Sequence, residues 1–77
     1  MGKELIEFIA QSLVTETDKV DVTTIEGDRS TILELKVSEE DVGKVIGKYG
    51  RIAKAMRNIL SAVSTSSGKR FVLEILN

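Results

Sequence analysis

The helical pattern in the middle of the chain breaks at Gly47-Lys48-Tyr49-Gly50 and resumes at Arg51. Two glycines three apart require a tight turn between two helices, because glycine accepts positive φ and, lacking Cβ, lets another backbone or a ligand come close. Residues from Arg51 to about Val63 keep helical period, so the free amides and positive dipole end of that helix are aimed at the turn. Lys48 and Arg51 add two full cations. Phosphate fits such a place, although the spacing alone is equally consistent with a plain joint between helices, since short glycine motifs recur by chance.

Charge placement favours the phosphate. The formal net charge is -1, which argues against a polyanion partner only if the charges are mixed. They are segregated: residues 42 to 73 hold Lys44, Lys48, Arg51, Lys54, Arg57, Lys69 and Arg70 and no acid, while acids dominate residues 1 to 41. A basic tract centred on the glycine turn is the electrostatic footprint of a polyanion site.

The rest of the composition excludes several classes. The chain has 77 residues, the size of one small domain spanning residues 1–77, and neither cysteine nor histidine. Disulfide scaffolds, zinc fingers and Cys/His nucleophile systems are therefore ruled out, and no metal ligands or cofactor are expected. No apolar run approaches the ~20 residues of a membrane span, and Glu4 and Glu7 interrupt the only N-terminal apolar stretch, so neither a membrane partner nor a signal peptide is expected. The expected location is cytoplasmic.

Read in order, Leu5, Ile6, Phe8, Ile9 and Leu13 make residues 3 to 14 an amphipathic helix packed by that apolar set. Val20, Val22 and Thr24 alternate as in a half-buried strand, Glu26-Gly27-Asp28-Arg29 reads as a hairpin turn with Gly27 at positive φ, and Ser30 to Val37 is the second strand. Ser38 and Asp41 approximate a capping box for a short helix ending at Gly47. Gly43 inside that helix costs about 1 kcal/mol relative to alanine, which points to a close contact there. In the next helix Ile52, Met56, Ile59, Leu60 and Val63 share one face, and Arg51, Lys54 and Arg57 lie on another. Ser64 to Gly68 reads as a mobile polar loop and Lys69 to Leu76 as the last strand. The order α-β-β-α-α-β gives an α+β fold, a three-stranded mixed sheet with three helices on one face. Ile25, Ile32, Val72 and Leu76 fall on the open face as a possible contact surface.

Val45-Ile46-Gly47-Lys48-Tyr49-Gly50-Arg51, between a short and a longer helix, resembles the Val-Ile-Gly-x-x-Gly signature of KH domains, and the preceding helix and two strands resemble the type II arrangement. The likeness covers nearly the whole chain and is nearest to the small single-KH bacterial proteins of the KhpA kind. The resemblance implies that the loop holds the sugar-phosphate backbone of single-stranded RNA. It further implies an apolar groove of Val42, Val45, Ile46, Ile52 and Ala53 facing Phe71 and Val72, with Ser64 to Lys69 as the variable loop. The expected RNA-binding set is Lys44, Ile46, Gly47, Lys48, Tyr49, Gly50, Arg51, Lys54 and Arg57. Tyr49 departs from the small or polar residue usual at its position, and either stacks on a base or covers a hydrophobic edge. The resemblance also implies an RNA chaperone or post-transcriptional regulator, pairing as a homodimer or with another KH-containing RNA-binding protein.

An enzyme of nucleotide chemistry fits poorly. The Walker A spacing fails, because Gly43 to Gly47 is one residue short and Tyr49 stands where a magnesium-binding Ser or Thr is needed. The dinucleotide fingerprint fails because the motif follows a helix rather than a strand. No catalytic residue is expected. A protein-interaction module remains compatible with the same surface, with assembly onto a larger RNA-binding partner as its main role.

Overall fold

The computed structural model describes residues 2–76. Helix α1 runs Gly2–Leu13, strands β1 and β2 run Asp21–Glu26 and Ser30–Lys36, helices α2 and α3 run Val42–Ile46 and Arg51–Ser67, and strand β3 runs Arg70–Leu76. Single 3₁₀ turns at Thr17–Lys19, Glu39–Asp41 and Lys48–Gly50 lie between them. The architecture is the expected α+β plan: β2 is central, antiparallel to β1 and parallel to β3. The parallel pair is joined by a crossover through both α2 and α3, so the glycine turn hangs between two neighbouring strands.

The core lies between the helices and one face of the sheet. Leu33 and Leu35 of β2 and Val37 beyond it point inward with Val22 and Leu73, meeting Ile6 and Ala10 of α1, Val45 of α2, and Met56 and Leu60 of α3. On the opposite face, register aligns Ile25, Ile32 and Val72 into one cross-strand apolar row.

Several local expectations give way to tertiary contacts. The buried stripe of α1 is Gly2, Ile6 and Ala10, continued by Val14, and Phe8 stands 70% exposed. Small residues take the inward positions because the helix backbone lies close to the sheet: a Cβ on Gly2 would sit 3.2 Å from the Phe71 ring. Ile59 of α3 is likewise exposed. Gly27 does not have positive φ; the hairpin closes instead through its N–H, which donates to the Ser30 carbonyl at 2.8 Å. Gly43 makes no close approach, since a Cβ there would meet nothing within 4 Å.

The largest difference is at the end of α3, where the expected loop over Ser64 to Gly68 is helical as far as Ser67. Ser64 and Thr65 turn their hydroxyls back onto the Leu60 and Ser61 carbonyls, at 2.9 and 3.2 Å, and so are accommodated inside the helix. Ser64 Oγ also accepts the Phe71 N–H at 2.8 Å, fastening the last turns to β3. Gly68, at φ 80, ends the helix in the left-handed conformation. Only Gly68 and Lys69 remain to connect α3 to β3.

Candidate nucleic-acid interface

The turn between α2 and α3 is built by the backbone. Gly47 donates its N–H to the Gly43 carbonyl at 2.9 Å, closing α2, and Gly50 donates to the Gly47 carbonyl at 3.1 Å. Gly47, Tyr49 and Gly50 all have positive φ, at 79, 58 and 72. Gly50 is the N-cap of α3 and offers no side chain to the first helical amides. The positive end of α3 therefore faces outward at the turn, without the oxygen that usually caps it.

Around this turn the expected cations divide into two groups. Lys48, Arg51 and Lys54 are exposed, and among the described residues none of them pairs with a carboxylate. Lys48 Nζ and Arg51 Cζ each lie 5.5 Å from the centre of the Tyr49 ring. Lys44 and Arg57 are already engaged. The Lys44 ammonium is 3.1 Å from Asp41 Oδ1 and also bonds Thr15 Oγ1, while Arg57 Nη2 donates to the Leu73 carbonyl at 3.2 Å.

Asp41 explains how the loop-bearing helix is held. It does not complete a capping box: its carboxylate is buried and accepts the Thr15 and Glu16 amides at 3.2 and 3.0 Å, with Ser38 Oγ donating at 3.0 Å. The residues just after α1 are thereby pinned to the start of α2. The Glu16 amide above all, then the Thr15 amide, Lys44 and Ser38, hold its carboxyl well below the ordinary value, against the opposing effect of burial. A carboxylate depressed in the folded state stabilises the fold above its unfolded pKa of about 4, and this contribution is lost as pH falls. Asp41→Asn should lower the urea midpoint at pH 7 and flatten its decline between pH 5 and pH 3. Parallel acid limbs in urea titrations of the two proteins would show that Asp41 is not the acid-sensitive pin.

The expected apolar groove is only partly open. Val45 and Ala53 are buried and serve the core, whereas Ile46 is 37% exposed beside the turn. A concavity of about 680 Å³ runs along the flank of α3 that meets β3. Phe71 and Val72, expected across the groove from Val42, Val45, Ile46, Ile52 and Ala53, line this concavity instead, together with Arg57, Asn58, Ser61 and Ser64 and with none of those five. Of these polar wall residues only Arg57 was anticipated; Asn58, Ser61 and Ser64, three apart along α3, form a visible polar stripe distinct from the apolar face. Among the described residues there is no cluster of three or more potential metal-ligating side chains, and no helix long and apolar enough to cross a membrane.

Comparison with known proteins accords with this geometry. The profile described as "KhpA/KhpB, KH domain" matches residues 3–75. "RNA-binding protein KhpA" of Borreliella burgdorferi is 55% identical over 74 residues, covering 96% of this chain and 90% of the relative. The protein of the same name from Aquifex aeolicus is 53% identical, covering 96% and 94%, and that from Treponema pallidum is 51% identical, covering 100% and 96%. Each is named for binding RNA and none for a reaction. No solved structure matches. With a glycine turn joining α2 to α3, a type II element order, a profile match from end to end of the fold and relatives at half identity, the chain belongs to the KhpA/KhpB family of KH domains.

Proposed function

We propose that the chain is a non-catalytic module that binds single-stranded RNA, gripping the sugar-phosphate backbone at Gly47-Lys48-Tyr49-Gly50 and along the adjoining basic flank of α3. The observation that carries this reading is the uncapped N-terminus of α3, set behind a turn of positive-φ residues and flanked by Lys48, Arg51 and Lys54, which have no carboxylate partner among the described residues. Ile46 supplies an apolar contact at the mouth, and Lys44 and Arg57 contribute field while holding their protein partners. The names of the relatives support RNA as the polyanion.

The role is that of an RNA chaperone or post-transcriptional regulator in the cytoplasm, with the chain acting as a single KH unit. A KH groove clamps about four nucleotides, so an isolated domain with three or four phosphate contacts should bind at micromolar strength, near -8 kcal/mol or weaker. Pairing with a second copy, or with a larger KH-containing protein, would place two grooves on one RNA and add roughly 10²–10⁴ in avidity.

The test is affinity against salt. With three or four phosphates neutralised on a single strand, log Kd should vary with log salt with a slope of magnitude about 2 to 3. Anisotropy of a labelled short RNA measures it, alongside a longer RNA carrying two sites. A slope near zero, or a nanomolar grip on the short RNA by monomeric protein in physiological salt, would defeat the reading.

A further inference from the structure

We propose that the Tyr49 ring is a stacking platform for one nucleobase, favouring purines, so that the loop reads a base as well as holding the backbone. This rests on the RNA-binding reading above.

The first ground is exposure. Tyr49 is 82% exposed, more than Phe8 at 70%, so the ring covers no hydrophobic edge and plays no part in the core. The second is conformation. Tyr49 has φ 58 and ψ 24 and is the only non-glycine residue among those described with positive φ. This left-handed region disfavours bulky side chains and suits glycine, asparagine or aspartate. An aromatic therefore stands where the backbone itself does not favour one, and the core gains nothing from it.

The third ground is the company the ring keeps. Lys48 and Arg51 approach it at 5.5 Å, a cation–π arrangement that orients the ring while leaving it open to solvent. These are the cations nearest the uncapped start of α3, so a phosphate that they hold brings its nucleotide beside the ring. Released from the ring to the phosphates, both cations would clear an aromatic surface for that base. Every base has a π-face, and the larger two-ring surface of purines stacks more strongly, so the contact gives a bias rather than a code.

The chain carries one tyrosine and no tryptophan, so its tyrosine emission reports this ring alone. The experiment titrates the full chain with three strands of equal length: oligoadenylate, oligouridylate and an abasic ribose-phosphate strand. Tyrosine emission follows stacking, and anisotropy of end-labelled strands follows binding. The expected result is strong quenching by oligoadenylate, less by oligouridylate and none by the bound abasic strand. Tyr49→Asn, which suits the left-handed backbone and so keeps the turn, should weaken oligoadenylate binding by about 5- to 100-fold. Its loss of affinity for the abasic strand should be several-fold smaller than for oligoadenylate, and Tyr49→Phe should restore most of the lost affinity. Binding of RNA without quenching, or an equal loss for the abasic strand in Tyr49→Asn, overturns the stacking proposal and leaves the RNA-binding reading standing. If anisotropy shows no binding of any strand, the reading and the proposal fall together.

Discussion

Lys48→Asp combined with Tyr49→Asp should abolish RNA binding while leaving the folded structure intact. Both side chains are exposed, and their aromatic–cation contact is made within the loop itself. Aspartate tolerates the left-handed conformation at position 49, so the turn should survive. The loop changes by three unit charges, and at contact distance in water each contributes on the order of 1 kcal/mol. Together they amount to a loss of roughly a hundredfold or more in affinity. Circular dichroism melts and anisotropy titrations on the same preparation separate the two effects. Undiminished binding would remove the loop from the interface. A collapsed melting temperature would show that these side chains do structural work the fold does not reveal.

The second large effect concerns the two glycines, which the structure makes unequal. At Gly47, with φ 79 and ψ 172, the backbone occupies a region open essentially to glycine alone. A Cβ there would fall 2.6 Å from Ile52 Cγ1 and 3.0 Å from Ile52 Cβ. Ile52 is β-branched, stiff and packed against the core, so it cannot swing aside. Gly47→Ala should therefore force α2 and α3 apart, with backbone strain and overpacking together costing about 2–5 kcal/mol. For a domain of this size that is a fall in melting temperature of at least ~10 °C. Gly50, at φ 72 and ψ 16, has nothing within 4 Å of its would-be Cβ. Gly50→Ala should cost only the left-handed penalty of about 1–2 kcal/mol. Trimming Ile52 to alanine should recover part of the Gly47→Ala loss on the melt, relative to Ile52→Ala alone. Equal destabilisation by the two glycine variants would contradict this account.

How much of this was legible beforehand depended on the range of the interactions involved. Element order, the inward set of β2 and the basic tract around the turn depend on local period and composition, and these were readable residue by residue. The misread features are set by distant partners. A serine-rich stretch reads as loop until Ser64 is seen to bond both Leu60 and Phe71. Asp41 reads as a cap until Thr15 and Glu16, some twenty-five positions away, claim its oxygens. Phe8 reads as core because hydrophobic period cannot show that Gly2 and Ala10 bring the α1 backbone close to the sheet. At the candidate site, the loop residues could be named from sequence, but the part that Asn58, Ser61 and Ser64 play in the concavity could not, because it depends on which flank of α3 meets β3.

The fastening of α3 to β3 also bears on the free edge of the sheet. Arg70 turns its N–H inward to the Arg29 carbonyl, whereas the Phe71 N–H and Leu73 carbonyl face outward from the sheet's margin. Arg70-Phe71-Val72-Leu73-Glu74-Ile75-Leu76 is a short, apolar, strand-forming run of the kind that templates cross-β assembly when its edge lies bare. Ser64 and Arg57 occupy those two outward groups, one from the last turns of α3 and one from its middle, so the helix that begins at the glycine turn also covers part of the β3 edge. Fraying of its last turns would release the Phe71 N–H from Ser64 and open that stretch of strand edge to pairing with another extended segment.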